Sequence, residues 1–320
     1  MKKTIAMLLA CLLLCATFIS CRRTEDTVRV YTLTGTTGFG MAKLMDDAAN
    51  GNAQLSYQFT KETDPTLVRD AILSGDADIA ALPTNVAAAL YNATNGGVKV
   101  LALNTKGVLH LITKAELAVT ALSELSGKTL YCPAQNPAFI TAALLEKAGV
   151  TNVMLDSTTY AKAEELREAV ANGYVDYAIL PEPMVTIAVN VARQNDLQLT
   201  ISLDLTAEWS KYFPSNSLVQ GCVVARSEFI EQHPEEITTF LTEYAASIAY
   251  VTKDYVKGGD VIARTGIFSA AAVAQNALPR CNLCYISDTE MQAALSSFLA
   301  EMPLASIGGA LPNEDFYYLP

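Results

Sequence analysis

The 320-residue sequence predicts an α/β fold of two Rossmann-like lobes with mainly parallel sheets, joined by a two-segment hinge. Three observations predict it: a short unit that occurs twice, a fainter echo ahead of each copy, and the alternation of apolar runs with helical stretches. The unit reads RDAILSGDADIAALP over 69–83 and REAVANGYVDYAILP over 167–181. Arg69/Arg167, Ala71/Ala169, Gly75/Gly173, Asp78/Asp176, Ala80/Ala178, Leu82/Leu180 and Pro83/Pro181 are identical pairs, and Asp70/Glu168, Ile72/Val170 and Ser74/Asn172 are chemically alike. Two copies of this length do not make a solenoid.

In chain order, residues 1–20 read as an export signal. Lys2 and Lys3 form a basic start, and 5–19 run without a charge. A spanning helix needs roughly 20 apolar residues, a signal core up to about 15. The junction Phe18-Ile19-Ser20-Cys21 resembles a bacterial lipobox, although leucine is more usual where Phe18 stands. Leu8-Leu9-Ala10-Cys11 would leave too short an apolar core, and Cys15 after Leu14 fits poorly. Cys21 is therefore the expected lipidation site, with 21–27 as a linker to the first lobe. Several acyl chains (palmitate and its like) on one residue anchor stably where a single chain does not. The alternatives are an uncleaved anchor or a plain signal peptide with an incidental cysteine.

The first lobe opens with a strand over 28–33, a turn rich in Gly and Thr, and a helical run from Phe39. Gly75 stands where a helix C-cap needs a left-handed residue. Ile79-Ala80-Ala81-Leu82 reads as a buried parallel strand, ended by Pro83, with a new helix at Thr84-Asn85. A strand over 98–105 runs out of this lobe. Lys106-Gly107 leads to 108–112, the entry to the second lobe, and a strand over 129–132 follows. Residues 139–145 echo 39–45. The second copy then supplies Gly173, the run 177–180, Pro181 and a helix starting at Glu182-Pro183. This lobe ends near 197–205, and 220–225 is a return strand. A long amphipathic helix over 234–254 and shorter ones after it pack back on the first lobe. The lobes are thus 28–105 with 206–320, and 106–205. A hinge of two segments permits rigid-body closure.

Composition limits function. The formal net charge is −11, and removal of Lys2 and Lys3 with residues 1–20 makes it more negative by two. Nucleic-acid binding needs a basic footprint, so no nucleic acid is expected, and the lipid is the only membrane tether. Cys132, Cys222, Cys281 and Cys284 follow Cys21. Cys281-Asn282-Leu283-Cys284 lacks the second ligand pair that a zinc site needs, and it follows Leu278-Pro279-Arg280 in a turn rather than opening a helix. Structural or incidental cysteines are expected, with no metal and no cofactor.

Signal, lipobox cysteine and two linked α/β lobes resemble a type II periplasmic-type solute-binding protein. Gly-Asp-Ala-Asp-Ile-Ala-Ala-Leu-Pro-Thr-Asn over 75–85 and Val-Asp-Tyr-Ala-Ile-Leu-Pro-Glu-Pro over 175–183 are similar to the sulfonate-, taurine- and thiamine-precursor-binding branch. The stretches Ala277-Leu278-Pro279-Arg280-Cys281-Asn282 and Ser306-Ile307-Gly308-Gly309 resemble a Firmicutes-type subgroup of importers. The resemblance implies an extracytoplasmic, lipid-anchored, monomeric partner of an ABC permease and ATPase. It also implies a small-molecule ligand held in the interlobe cleft, at the C-terminal ends of the strands. Open α/β sheets bind ligands in that crevice on physical grounds too. Carried over by position, the candidates are Gly35, Thr36, Thr37, Gly38 and Phe39, then Pro83, Thr84 and Asn85. In the second lobe they are Gln135, Asn136, Pro137 and Ala138, and Glu182, Pro183 and Met184.

Glycines and threonines opening a helix at 35–40 offer free N–H groups and hydroxyls to an anion. Lys43-Leu44 does not complete a P-loop, and an ordinary tight turn is the alternative. Glu182 either serves the dipole of its helix or pairs with a ligand cation. Phe39, Phe139, Tyr160, Trp209 and Tyr212 are either core or cleft walls, and Trp209, the only tryptophan, stands by the return hinge. An enzyme on the same fold is the rival reading. His233 precedes Pro234 at a surface helix start, and His110 in an apolar strand reads as a satisfied core histidine. No His/Cys cluster, nucleophile elbow or carboxylate pair supports catalysis. The ligand expected is an anionic or heteroaromatic organic solute.

Overall fold

The repeated unit folds the same way twice in the computed structural model, which describes residues 27–320. The export signal and Cys21 lie outside the described residues. The first half runs β1 (Val28–Leu33), α1 (Thr36–Phe39), α2 (Ala42–Ala49), β2 (Tyr57–Glu62), α3 (Pro65–Ser74), β3 (Ile79–Pro83), α4 (Thr84–Thr94) and β4 (Val98–Lys106). The second runs β5 (Leu109–Lys114), β6 (Thr129–Tyr131), α5 (Asn136–Lys147), β7 (Met154–Asp156), α6 (Ala163–Ala171), β8 (Tyr177–Pro181), α7 (Met184–Gln194) and β9 (Leu199–Asp204). The chain returns through α8 (Leu205–Tyr212) and β10 (Val219–Arg226). Then come α9 (Ser227–Gln232), α10 (Pro234–Lys253), α11 (Tyr255–Arg264), α12 (Ala271–Ala277), β11 (Leu283–Ile286) and α13 (Asp288–Ala300). Among the described residues, no helix is long and apolar enough to cross a membrane.

The strands form two sheets, ordered β11-β4-β10-β3-β1-β2 and β7-β6-β8-β5-β9. Both are mixed, with most strands of each running the same way, as expected, and a minority reversed. β2, β1 and β3 are parallel, as are β7, β6 and β8. β10 runs antiparallel to β3 and β4, and β5 antiparallel to β8 and β9. The reason is directional. The βαβ strands end at the edge that faces the other lobe, so a strand arriving from that lobe starts there and runs the opposite way. An apolar run in the sequence carries no direction.

The identical residues of the repeat take matching structural roles. Gly75 and Gly173 adopt φ of 80° and 74°, the left-handed turn that ends each preceding helix. The strands β3 and β8 are buried at every position but their last, Pro83 and Pro181. Asp78 and Asp176 each meet a basic residue at the end of the incoming antiparallel strand: Arg226 of β10 at 2.7 Å and Lys114 of β5 at 2.7 Å. Asp78 also takes the Arg29 guanidinium at 2.6 and 2.9 Å. Burial alone would raise its pKa, but the hydrogen bonds from the two arginines outweigh that and hold the carboxyl below its usual range.

Both crossovers run side by side, because β4 lies next to β10 and β5 next to β9. Gly107 sits between them in close quarters. A Cβ there would fall 2.2 Å from Thr206 Oγ1 and 2.6 Å from Leu218 Cδ2. One residue on, the Val108 N–H donates to Gln220 Oε1 at 2.8 Å, tying one crossover to the other. The cysteine pair differs from expectation in part. Cys281 and Asn282 form a turn, but Leu283 onward adds edge strand β11 to β4. The described cysteines are free thiols, and burial pushes Cys284 up to about 12.

Candidate interlobe site

The assigned loops are four of the strand-to-helix turns: β1 before α1, β3 before α4, β6 before α5, and β8 before α7. The first of these turns is the tightest. A Cβ on Gly38 would lie 1.8 Å from the Leu33 carbonyl oxygen, so only glycine lets the turn close on β1. Gly35, at φ 102°, starts the turn with open space beside it. Thr36 then projects to the second lobe, and its hydroxyl donates to the Glu182 carbonyl at 2.6 Å. The loops assigned to the two faces of the cleft therefore touch directly.

The other candidates divide into groups. The half-buried Thr37 accepts a long 3.4 Å hydrogen bond from Asn104 Nδ2 at its carbonyl. Asn85 and Asn136 are buried at 5% and 8% exposure, and neither Oδ1 has a partner. They stand in the first turns of α4 and α5, each just after a strand of a different sheet, and are two of the unmet buried acceptors among the described residues. Pro83, Pro137 and Met184 are half-buried, Pro183 is buried, and Gln135 is exposed at φ 65°. The Thr84 hydroxyl is already used, donating to the Val219 carbonyl at 2.9 Å. Ala138 packs in the hydrophobic core.

Two aromatic assignments are corrected. Phe39 is fully buried with Met41, Leu44 and Ile248, its ring edge-on to Phe268. Trp209 is fully buried too, stacked on Phe213 at 4.1 Å and packed against Phe298 at 5.7 Å. Both rings are enclosed by other side chains, so neither offers a face to a ligand.

Glu182 joins both roles that its position suggested. Its carboxylate accepts from the Thr186 N–H at 3.1 Å in the first turn of α7, and from the Thr186 hydroxyl. Its cation is Arg280, whose Nε reaches Oε1 at 2.6 Å while Nη2 donates to Thr186 Oγ1 at 2.7 Å. The Glu182 side chain has no exposed surface, and Arg280 keeps about a third of its own. A cavity of ≈ 330 Å³ opens beside this pair, lined by Thr186, Asn190, Ile201, Asn276 and Arg280 among others.

His110 corrects another expectation. It is 2% exposed, but neither ring nitrogen has a hydrogen-bond partner. Nδ1 lies 4.0 Å from Asp204 Oδ1. Burial lowers its pKa and the Arg280 charge adds to the effect, while Asp204, Glu182 and the nearby Arg280 backbone oppose it. Arg280, Thr186 and Asp204 were not legible as site residues. The run Leu278-Pro279-Arg280-Cys281-Asn282 was the one signal near them, and nothing in it indicates a partner 98 residues away.

A family model described as NMT1/THI5 like matches residues 52–255. No curated protein matches the chain. Among solved structures, an ABC transporter from Parabacteroides distasonis superposes with a TM-score of 0.76 at 23% identity, covering 92% of this chain and 99% of the other. The ligand binding component of an ABC-type import system from Staphylococcus aureus, with zinc bound, gives 0.70 at 12% identity, covering 92% and 97%. The periplasmic aliphatic sulphonate binding protein SsuA from Escherichia coli gives 0.66 at 12%, covering 87% and 86%. At these identities the likeness is one of fold, and it extends over both sheets and the crossovers between them.

Proposed function

This chain belongs to the NMT1/THI5-like family, and from that premise we propose that it is the solute-binding component of an ABC importer rather than an enzyme. It captures a small organic solute, anionic or heteroaromatic, between lobes formed by 28–105 with 206–320 and by 106–205. Closure about the paired crossovers then presents the loaded form to the permease and its ATPase. Residues 1–20 direct export, and lipidated Cys21 holds a monomer at the outer face of the cell membrane.

The observation that carries the reading is the contact of Thr36 with Glu182, each at the end of a strand of a different sheet. Asn85 and Asn136 stand in other loops of the same two sheets, and their amide acceptors are unmet. A bound solute makes contacts with both lobes that the open form lacks, so it adds to the stability of the closed form. The glycine- and threonine-rich turn supports an anionic group on the ligand, and the unmet amide oxygens support one with N–H or O–H donors.

A thermal-shift screen of residues 22–320 against sulfonates, aromatic acids, pyrimidines and amino acids tests the reading. A ligand that binds only the native state raises the melting temperature, by about 2.7 kcal/mol of added stability at a hundredfold excess over Kd. A shift by one class without consumption of the hit is expected. Turnover of the hit would replace the binder by the enzyme.

A further inference from the structure

Resting on the reading of a hinged two-lobe binder, we propose that residues 280–282 form a latch that holds the lobes together without ligand, and that His110 releases it on acidification. Arg280 follows α12, on the side of the chain that packs with the first sheet, yet its guanidinium ends on Glu182 and Thr186 at the start of α7. Both hydrogen bonds are charge-assisted or made to a group that also serves the carboxylate. Glu182 has no exposed side-chain surface, so loss of Arg280 strands a buried charge, which is far costlier than loss of a surface pair. Two residues on, Asn282 Nδ2 donates to the Gly107 carbonyl at 2.6 Å, and the Asn282 carbonyl accepts from Lys106 N at 3.0 Å. One short segment thus grips both the opposite lobe and the hinge. Every partner belongs to the chain itself, so the grip does not wait for a solute.

His110 lies in the same seam. It stands on β5 opposite Leu180 of β8 and Asp204 of β9. The charged groups facing it are Asp204 from β9, Glu182 beyond the end of β8, and Arg280 from the latch. With the ring enclosed at 2% exposure, burial outweighs the opposing Asp204, Glu182 and Arg280 backbone, so the closed form favours neutral imidazole; opening hydrates the ring and restores its ordinary affinity for a proton. The closed-form value lies below the open-form value of ~6.5. Closure is therefore intact above that range and is lost as the pH falls through it, because only the open form takes the proton.

Small-angle X-ray scattering of the ligand-free protein, at about pH 7.5 and about pH 5.5, reads the latch directly. The unmodified chain is expected to be compact at the higher pH and to shift to a larger radius of gyration at the lower. Arg280→Ala is expected to be expanded at both, and Glu182→Gln, which keeps the volume, partly expanded at both. The second variant decides the matter should the first not fold. His110→Gln is expected to stay compact at both. Variants at Arg280 and Glu182 as compact as the parent chain, or a parent chain already expanded at the higher pH, overturn the latch. A His110→Gln protein that still expands on acidification overturns the sensor. No ligand enters these measurements, so they fail independently of the thermal-shift screen.

Discussion

At the scale of single residues, Thr36 and Glu182 define the seam between the lobes. Thr36→Val keeps the shape of the side chain and removes the donor to the Glu182 carbonyl. The expected cost is about 1 kcal/mol of closure, or about fivefold in affinity for a solute found by screening, read by isothermal titration. Unchanged affinity would show that the bridge does not contribute to closure. The residues assigned to the site from sequence illustrate what a sequence can convey. Glycine at 38 and the paired asparagines at 85 and 136 stand where strands end, so position alone selected them. Phe39 and Trp209 stand beside the same turns, but a ring in a sequence carries no indication of the way it points. Packing placed both in the core. Arg280 and His110 act through partners brought near by the fold, and no local pattern encodes such a meeting.

At the scale of elements, the repeat was legible because its period and punctuation are local: a helix, a left-handed glycine, a buried run, a proline. Both copies fold to the predicted sequence of elements. Strand direction was not legible, since β5 and β10 owe theirs to the lobe they come from. Short strand β11 was hidden in a segment whose cysteines drew a different reading. Asp78 is the clasp that joins the repeat to the incoming strand. Asp78→Asn leaves two guanidiniums short of a carboxylate and is expected to cost about 2–3 kcal/mol in urea denaturation. The sign with pH follows from its depressed value. Its contribution is complete above the unfolded value of ~3.9 and disappears as the pH falls through the folded one. The variant should therefore show a flatter acid limb than the parent, and equal slopes would deny Asp78 this role.

At the scale of the whole molecule, the proposed closure turns about two adjacent crossovers, and Gly107 is where they press together. Gly107→Val drives a branched side chain into Thr206 and Leu218. The expected overpacking cost of about 1–3 kcal/mol falls on the closed arrangement. Solute affinity should drop at least about fivefold with every loop residue intact. An affinity equal to the parent's would place the pivot elsewhere. The same path of the chain has a consequence for the order in which the protein can be assembled. β10 lies in the interior of its sheet, between β3 and β4, yet it is made only after every strand of the other sheet. As the polypeptide emerges N-terminus first, the later-starting sheet, β5 to β9, is continuous and is the first that can be finished. The sheet begun first must keep a gap with two unpaired edges until residue 226 has emerged.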